Sequence, residues 1–114
     1  MNGALLRFYV HEKDRHQHQM TWEWLLETAN SMGIRGGSAF KAMACFGRHH
    51  QLQEAKFVEL AGQLGIVVEF MVSDAEAEAI LQLVNQEGSN LIYAIVPARI
   101  GVINPKTDEG SPSQ

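Results

Sequence analysis

The sequence predicts a mixed α+β domain in which strands and helices follow the order strand, helix, strand, strand, helix, strand. Three observations carry this. Residues 4–11 alternate with a period of two, which is the signature of a half-buried strand. Apolar residues recur at helical spacing after Thr21 and again after Ser73. Residues 66–72 form a nearly continuous apolar run of strand length. The chain of 114 residues leaves room for one domain, burying roughly two-thirds of the surface that the unfolded chain exposes.

In the first strand, Leu6, Phe8 and Val10 point one way and Leu5, Arg7, Tyr9 and His11 the other. The polar, His-rich stretch 12–19 reads as a loop. Thr21 is the expected N-cap of a helix whose stripe is Trp22, Leu25, Leu26, Ala29 and Met32. Gly33 ends that helix as a glycine cap, with Ile34 folding back onto it. After the Gly36-Gly37 turn, a second strand is expected to place Phe40, Ala42, Ala44 and Phe46 on one face and Lys41, Met43 and Cys45 on the other.

Gly47-Arg48-His49-His50 breaks the pattern. Phe57, Leu60, Ala61 and Leu64 then sit at i, i+3, i+4 and i+7, predicting a short extra helix within the connection. After the third strand, Ser73 and Glu76 have the spacing of a capping box, and Ala77, Ile80, Leu81 and Val84 form the inner stripe of the next helix, closed by Gly88. Residues 91–103 are extended, with Pro97 suited to a strand start or an edge strand. The polar tail, residues 104–114, carries Pro, Gly, Ser and charge and is expected to be disordered, leaving 1–103 as the single domain. This order is that of the ferredoxin-like βαββαβ sandwich, with both helices on one face of an antiparallel sheet and a short extra helix between strands 2 and 3.

In such a sandwich the face away from the helices is expected to carry Leu5, Arg7, Tyr9, Lys41, Met43, Cys45, Val67, Glu69, Met71, Arg99 and Ile103. That face is too apolar for water, and patches of this kind mark interfaces. Arg7, Tyr9, Lys41, Glu69 and Arg99 are therefore the candidate interface residues. The usual strand order sets Glu69 within reach of Arg7 or Lys41.

Charge and composition narrow the function. A net charge of −4 and a pI near 5.7 disfavour general nucleic-acid binding and docking on anionic membranes. No apolar run approaches the roughly 20 residues of a membrane helix. The lone Cys45 has no internal disulfide partner, and the N-terminus reads directly into a strand rather than a signal peptide, so a cytoplasmic location is expected. The loop residues Gly47, Arg48, His49 and His50, with Lys56, concentrate positive or switchable charge suited to a phosphate or carboxylate; a solvated loop is the plain alternative. His11, Glu12, Asp14, His16 and His18 offer donors for a divalent metal, although ligands on one short loop rarely close a site unaided. Catalytic motifs, phosphate loops and paired cysteines are missing from the pattern, and no cofactor can be named. RNA binding on this fold needs stacking aromatics on the central strands, and Val67, Glu69 and Met71 provide none.

The early strand followed by His11-Glu12-Lys13-Asp14, the run Met32-Gly33-Ile34-Arg35-Gly36-Gly37-Ser38-Ala39-Phe40, Cys45-Phe46-Gly47, Ala55-Lys56, Ile66-Val67-Val68-Glu69 and Ser73-Asp74 together resemble the PII-like proteins of the domain-of-unknown-function 190 family. The resemblance spans residues 4–103. It implies a ferredoxin-like fold, a homotrimer packed through its sheets, a small anionic effector (a nucleotide among the candidates) and a regulated partner such as a transporter or an enzyme. Glu87-Gly88-Ser89-Asn90, between the second helix and the last strand, lacks the lysine of the PII nucleotide loop. A divalent-metal-binding trimer similar to the CutA-like relatives of PII is the alternative.

Overall fold

The computed structural model describes residues 1–45 and 65–104. In chain order the elements are β1 (Asn2–His11), β2 (Arg15–His16), β3 (Gln19–Met20), α1 (Thr21–Ser31), β4 (Gly36–Lys41), β5 (Gly65–Val72), α2 (Asp74–Gln86) and β6 (Ile92–Arg99). The four long strands form one antiparallel sheet in the order β4-β5-β1-β6, with both helices against one face. This is the expected α+β, ferredoxin-like arrangement. The short extra helix predicted from Phe57 onward lies outside the described residues, as does the tail from residue 105.

The core follows from the alternation of β1. Ala4, Leu6, Phe8 and Val10 are buried, and the register sets them opposite Val72, Phe70, Val68 and Ile66 of β5, which are buried with them. Because directly paired residues share a face, these eight side chains form one apolar sheet surface. Leu25 and Ala29 of α1 and Ala77, Ile80 and Val84 of α2 close over it. Phe8 and Phe70 meet edge to face, with ring centres 6.4 Å apart.

Local chemistry sets the helix limits. Ser73 accepts a hydrogen bond from the Glu76 amide at 3.1 Å while the Glu76 carboxylate accepts one from the Ser73 amide at 2.8 Å, which completes the capping box. Gly33 adopts φ +83°, and the Ile34 amide donates to the Ala29 carbonyl while the Gly33 amide donates to that of Asn30. That pair of bonds is a Schellman motif, which favours glycine at the left-handed position. Gly88 ends α2 by the same pair of bonds, to Val84 and Asn85.

Four expectations are corrected. The stretch 12–19 is not all loop: Arg15–His16 pairs with Gln19–Met20 in a small hairpin, turned at Gln17 with φ 60°. The N-cap of α1 is Met20, and Thr21 is the first helical residue, buried, its amide donating to the Asp14 carbonyl at 2.8 Å. Strand β4 stops at Lys41, and its faces are the reverse of those expected. Gly37, Ala39 and Lys41 pair with Phe70, Val68 and Ile66, so they face the helices, while Phe40 pairs with Val67 and faces away, 54% exposed. The cause is steric: the Phe70 ring lies under β4, and a Cβ on Gly37 would stand 2.7 Å from it, so the glycine takes the inner position. Arg99 is likewise displaced, since it pairs with Asn2 and therefore lies on the helix-side face.

Two substitutions test this account by urea denaturation. Ser73→Ala, which removes half of the capping box, is expected to cost about 1 kcal/mol. Leu6→Ala, at a fully buried position between β5 and β6, is expected to cost about 2–5 kcal/mol.

Candidate functional site

The face of the sheet away from the helices is built from three cross-strand rows. From β4 to β6 they read Gly36, Met71, Leu5, Val96; then Ser38, Glu69, Arg7, Ala94; then Phe40, Val67, Tyr9, Ile92. Arg7 and Glu69 are direct partners in the middle row. The Arg7 Nε donates to the Glu69 Oε2 at 2.7 Å, with both side chains partly exposed. This hydrogen bond and the attraction of the carboxylate raise the Arg7 pKa above its ordinary value, against the opposing effect of desolvation. Around this one ion pair the face is apolar, and Tyr9, Phe40, Met71 and Ile92 are all exposed. A charge-assisted pair set within an apolar surface favours a partner that brings apolar area and leaves the pair intact.

Of the five residues singled out for this face, Arg7, Tyr9 and Glu69 share it. Lys41 and Arg99 do not: the registers of β4 and β6 turn both to the helix side. The Lys41 Nζ instead meets the Glu12 Oε2 at 3.3 Å. The other Glu12 oxygen, Oε1, is buried without a hydrogen-bond partner among the described residues. Ile103 lies beyond β6 and is 95% exposed.

At the end of the sheet where β1 finishes and β5 begins there is a cavity of about 650 Å³. Its walls are mainly apolar, from Val10, Ile66, Val67, Ile92, Ala42 and Ala44, and its polar groups come from Tyr9, His11 and Cys45. The chain leaves this cavity at Cys45 and returns to it at Gly65. The effector candidates Gly47, Arg48, His49, His50 and Lys56 belong to the intervening segment and lie outside the described residues.

The polar cluster after β1 is dispersed rather than assembled. The His11 amide donates to Asp14 Oδ2 at 3.2 Å, and Glu12 turns to Lys41. The His16 ring stacks on the Trp24 indole with centres 3.9 Å apart, and its Nε2 stands 3.2 Å from Glu87 Oε1 at the end of α2. Among the described residues no three His, Cys, Asp or Glu side chains converge as metal ligands do. The contact of His16, Trp24 and Glu87 was beyond sequence reading, because a residue 71 positions away completes it. The fold also spends Glu87 and Gly88 structurally, the first against His16 and the second as the cap of α2.

No helix among the described residues is long and apolar enough to cross a membrane. The arrangement of strands and helices resembles the crystal structure of a "putative PII-like signaling protein" from Thermus thermophilus, with a TM-score of 0.51 and 19% identity over 85% of this chain and 88% of that one. In sequence, the chain is 26% identical over 88 residues to a UPF0166 protein of Aquifex aeolicus (strain VF5), which is 77% of this chain and 84% of the relative. The model of the DUF190 family, described as "Uncharacterized ACR, COG1993", matches residues 3–98. That span takes in both helices and all but the first and last residue of the four-stranded sheet, and the chain belongs to the DUF190 family.

Proposed function

We propose that this protein is a PII-like regulator that assembles as a homotrimer, binds a small anionic effector and through it controls a partner protein such as a transporter or an enzyme. The observation that carries the reading is the open sheet face, where an apolar surface surrounds the Arg7–Glu69 pair. Packing against copies of the same face buries Leu5, Phe40, Val67 and Met71 without stranding a charge, because the two ionic groups already satisfy each other. The Thermus thermophilus protein, described as PII-like and signalling, supports the same reading through its fold.

The effector is assigned to Gly47, Arg48, His49, His50 and Lys56. Their guanidinium, imidazole and ammonium groups suit phosphate or carboxylate oxygens. The support from the described residues is positional: the cavity of about 650 Å³ lies where this segment leaves and rejoins the sheet. A nucleotide or another small anion is the expected class. The role is one of binding rather than catalysis, and the cytoplasm is the expected location. The dispersal of His11, Glu12, Asp14, His16 and His18 gives the metal-binding alternative no supporting geometry.

Light scattering after size exclusion is expected to give three times the chain mass. Arg7→Glu, which sets two carboxylates side by side on the face, is expected to yield monomers, and combining it with Glu69→Arg is expected to restore the trimer. A monomeric wild-type protein at micromolar concentration refutes the assembly. In a thermal-shift screen of nucleotides, bicarbonate and small carboxylates, a true effector at a hundred times its dissociation constant stabilises the fold by about 2.7 kcal/mol. That stabilisation is expected to vanish in the Arg48→Ala, His49→Ala double variant, and its persistence there removes the assigned site.

A further inference from the structure

On the helix side of the sheet, a hollow of about 350 Å³ opens between the end of α1 and the start of β4. Its floor is apolar and comes from Leu26, Ile34 and Phe70, all buried or half-buried. Strand β4 contributes bare backbone at Gly36 and Gly37. A Cβ on Gly37 would stand 2.7 Å from the Phe70 ring and 3.3 Å from a Leu26 methyl group. The glycine therefore lets both apolar side chains come up against the strand and complete the floor. Charged and polar side chains stand only at the exposed rim, where α1 supplies Glu27 and Asn30 and the turn before β4 supplies Arg35.

The two rim charges have opposite sign and do not meet. Glu27 and Arg35 line the same hollow, yet their charged atoms stay more than 4.0 Å apart, and neither has another ion-pair partner among the described residues. A carboxylate and a guanidinium held apart above an apolar floor leave a gap that suits a ligand carrying both charges. Asn30 lies three residues after Glu27 and so on the same side of α1, adding an amide to the rim. The last turn of α1 carries no basic side chain, so the negative end of its dipole reinforces Glu27 in favouring a cation there.

Size and position narrow the ligand further. Small-molecule sites run from about 300 to 1,000 Å³, and this hollow lies at the lower end of that range, where an amino-acid-sized metabolite fits and a nucleotide does not. It also lies away from the larger cavity. Phe70 floors the hollow while Ile66 lines the larger cavity, and four residues of extended strand separate them by about 13 Å. All of the lining groups belong to one copy of the chain.

We infer that this hollow binds an apolar α-amino acid. The ligand carboxylate meets the Arg35 guanidinium and the Asn30 amide, its ammonium meets the Glu27 carboxylate, and its side chain lies on Leu26, Ile34 and Phe70. Each part of the ligand has its own counterpart, and the arrangement discriminates by what is missing. A compound without the ammonium or without the carboxylate leaves one rim charge covered and unpaired, which costs affinity. The site is a second one, independent of the effector assignment and of the assembly through the open face.

Titration of the isotope-labelled full chain with L-leucine, followed through the backbone amide resonances, provides the test. Saturable shifts are expected at residues 26–37 and at Phe70, with L-isoleucine and L-methionine competing for the same place. Isocaproate, which lacks the ammonium, and leucinamide, which lacks the carboxylate, are each expected to bind about tenfold more weakly or worse. Arg35→Ala and Glu27→Gln, at exposed positions and with the fold checked by circular dichroism, are each expected to lower leucine affinity by about tenfold or more. Three outcomes overturn the site. One is silence from all three amino acids at about 10 mM, where even a dissociation constant of about 1 mM gives near-saturation. Another is leucine binding that persists at full strength in both variants. The third is a set of shifts centred on the larger cavity around Tyr9 and Ile66 instead.

Discussion

The register between β1 and β5 is the constraint on which the rest of the molecule depends. With Leu6 opposite Phe70 and Phe8 opposite Val68, one face of both strands is wholly apolar and the helices have a surface to cover. The same pairing sets Arg7 opposite Glu69 on the other face, where their 2.7 Å contact lets two charges sit in an apolar setting. A slip of one strand by one residue would turn its core side chains outward and set its ionic group against the helices, away from the partner charge. The core and the open face are thus two consequences of a single alignment. The ion pair opposes the slipped register more than it adds stability, since partly exposed pairs contribute little on average.

Much of the fold was legible because its signals are local. The alternation of residues 4–11, the Ser73 and Glu76 spacing and the glycines at positions 33 and 88 each describe a geometry completed within a few residues, and each is realised. The errors arose where a distant residue decides. Phe40, as the largest apolar side chain of its strand, reads naturally as core. Yet the inner position under β4 is already filled by the Phe70 ring, 30 positions away, and the small Gly37 and Ala39 take that side instead. Lys41 and Arg99 followed the same misassignment, since reversing the parity of an edge strand moves all its residues at once. The hairpin after β1 was missed for another reason: strands of two residues have no period to detect, and the turn uses Gln17 where glycine or asparagine is the usual sign.

The candidate site was legible in part. An apolar open face with Arg7, Tyr9 and Glu69 follows from alternation alone, because whatever is not core on β1 and β5 must be on that face. The His-rich stretch looked like a ligand set only because its members are neighbours in sequence. Folding into a hairpin sends His16 toward Trp24 and Glu87, while Glu12 turns to Lys41, so proximity along the chain becomes separation in space. Composition identifies residue types, but convergence depends on which elements pack together.

Coverage of the sheet also explains which apolar rows of the described residues stay exposed. Strands lie about 4.8 Å apart, so four of them make a sheet whose outer rows need helices placed well apart. Here the buried rows belong to β1 and β5, the inner pair, and the outer strand β6 keeps Tyr93 and Ile95 in contact with solvent on the helix side. At β4 the helix-side position of Gly37 is already taken by the Phe70 ring, which leaves no room there for a Cβ. The central packing that stabilises the monomer thereby fixes the exposure at its margins. With the open face apolar as well, the apolar surface of the described residues is distributed over one face and two edges, and this is the surface that the proposed assembly would remove from water.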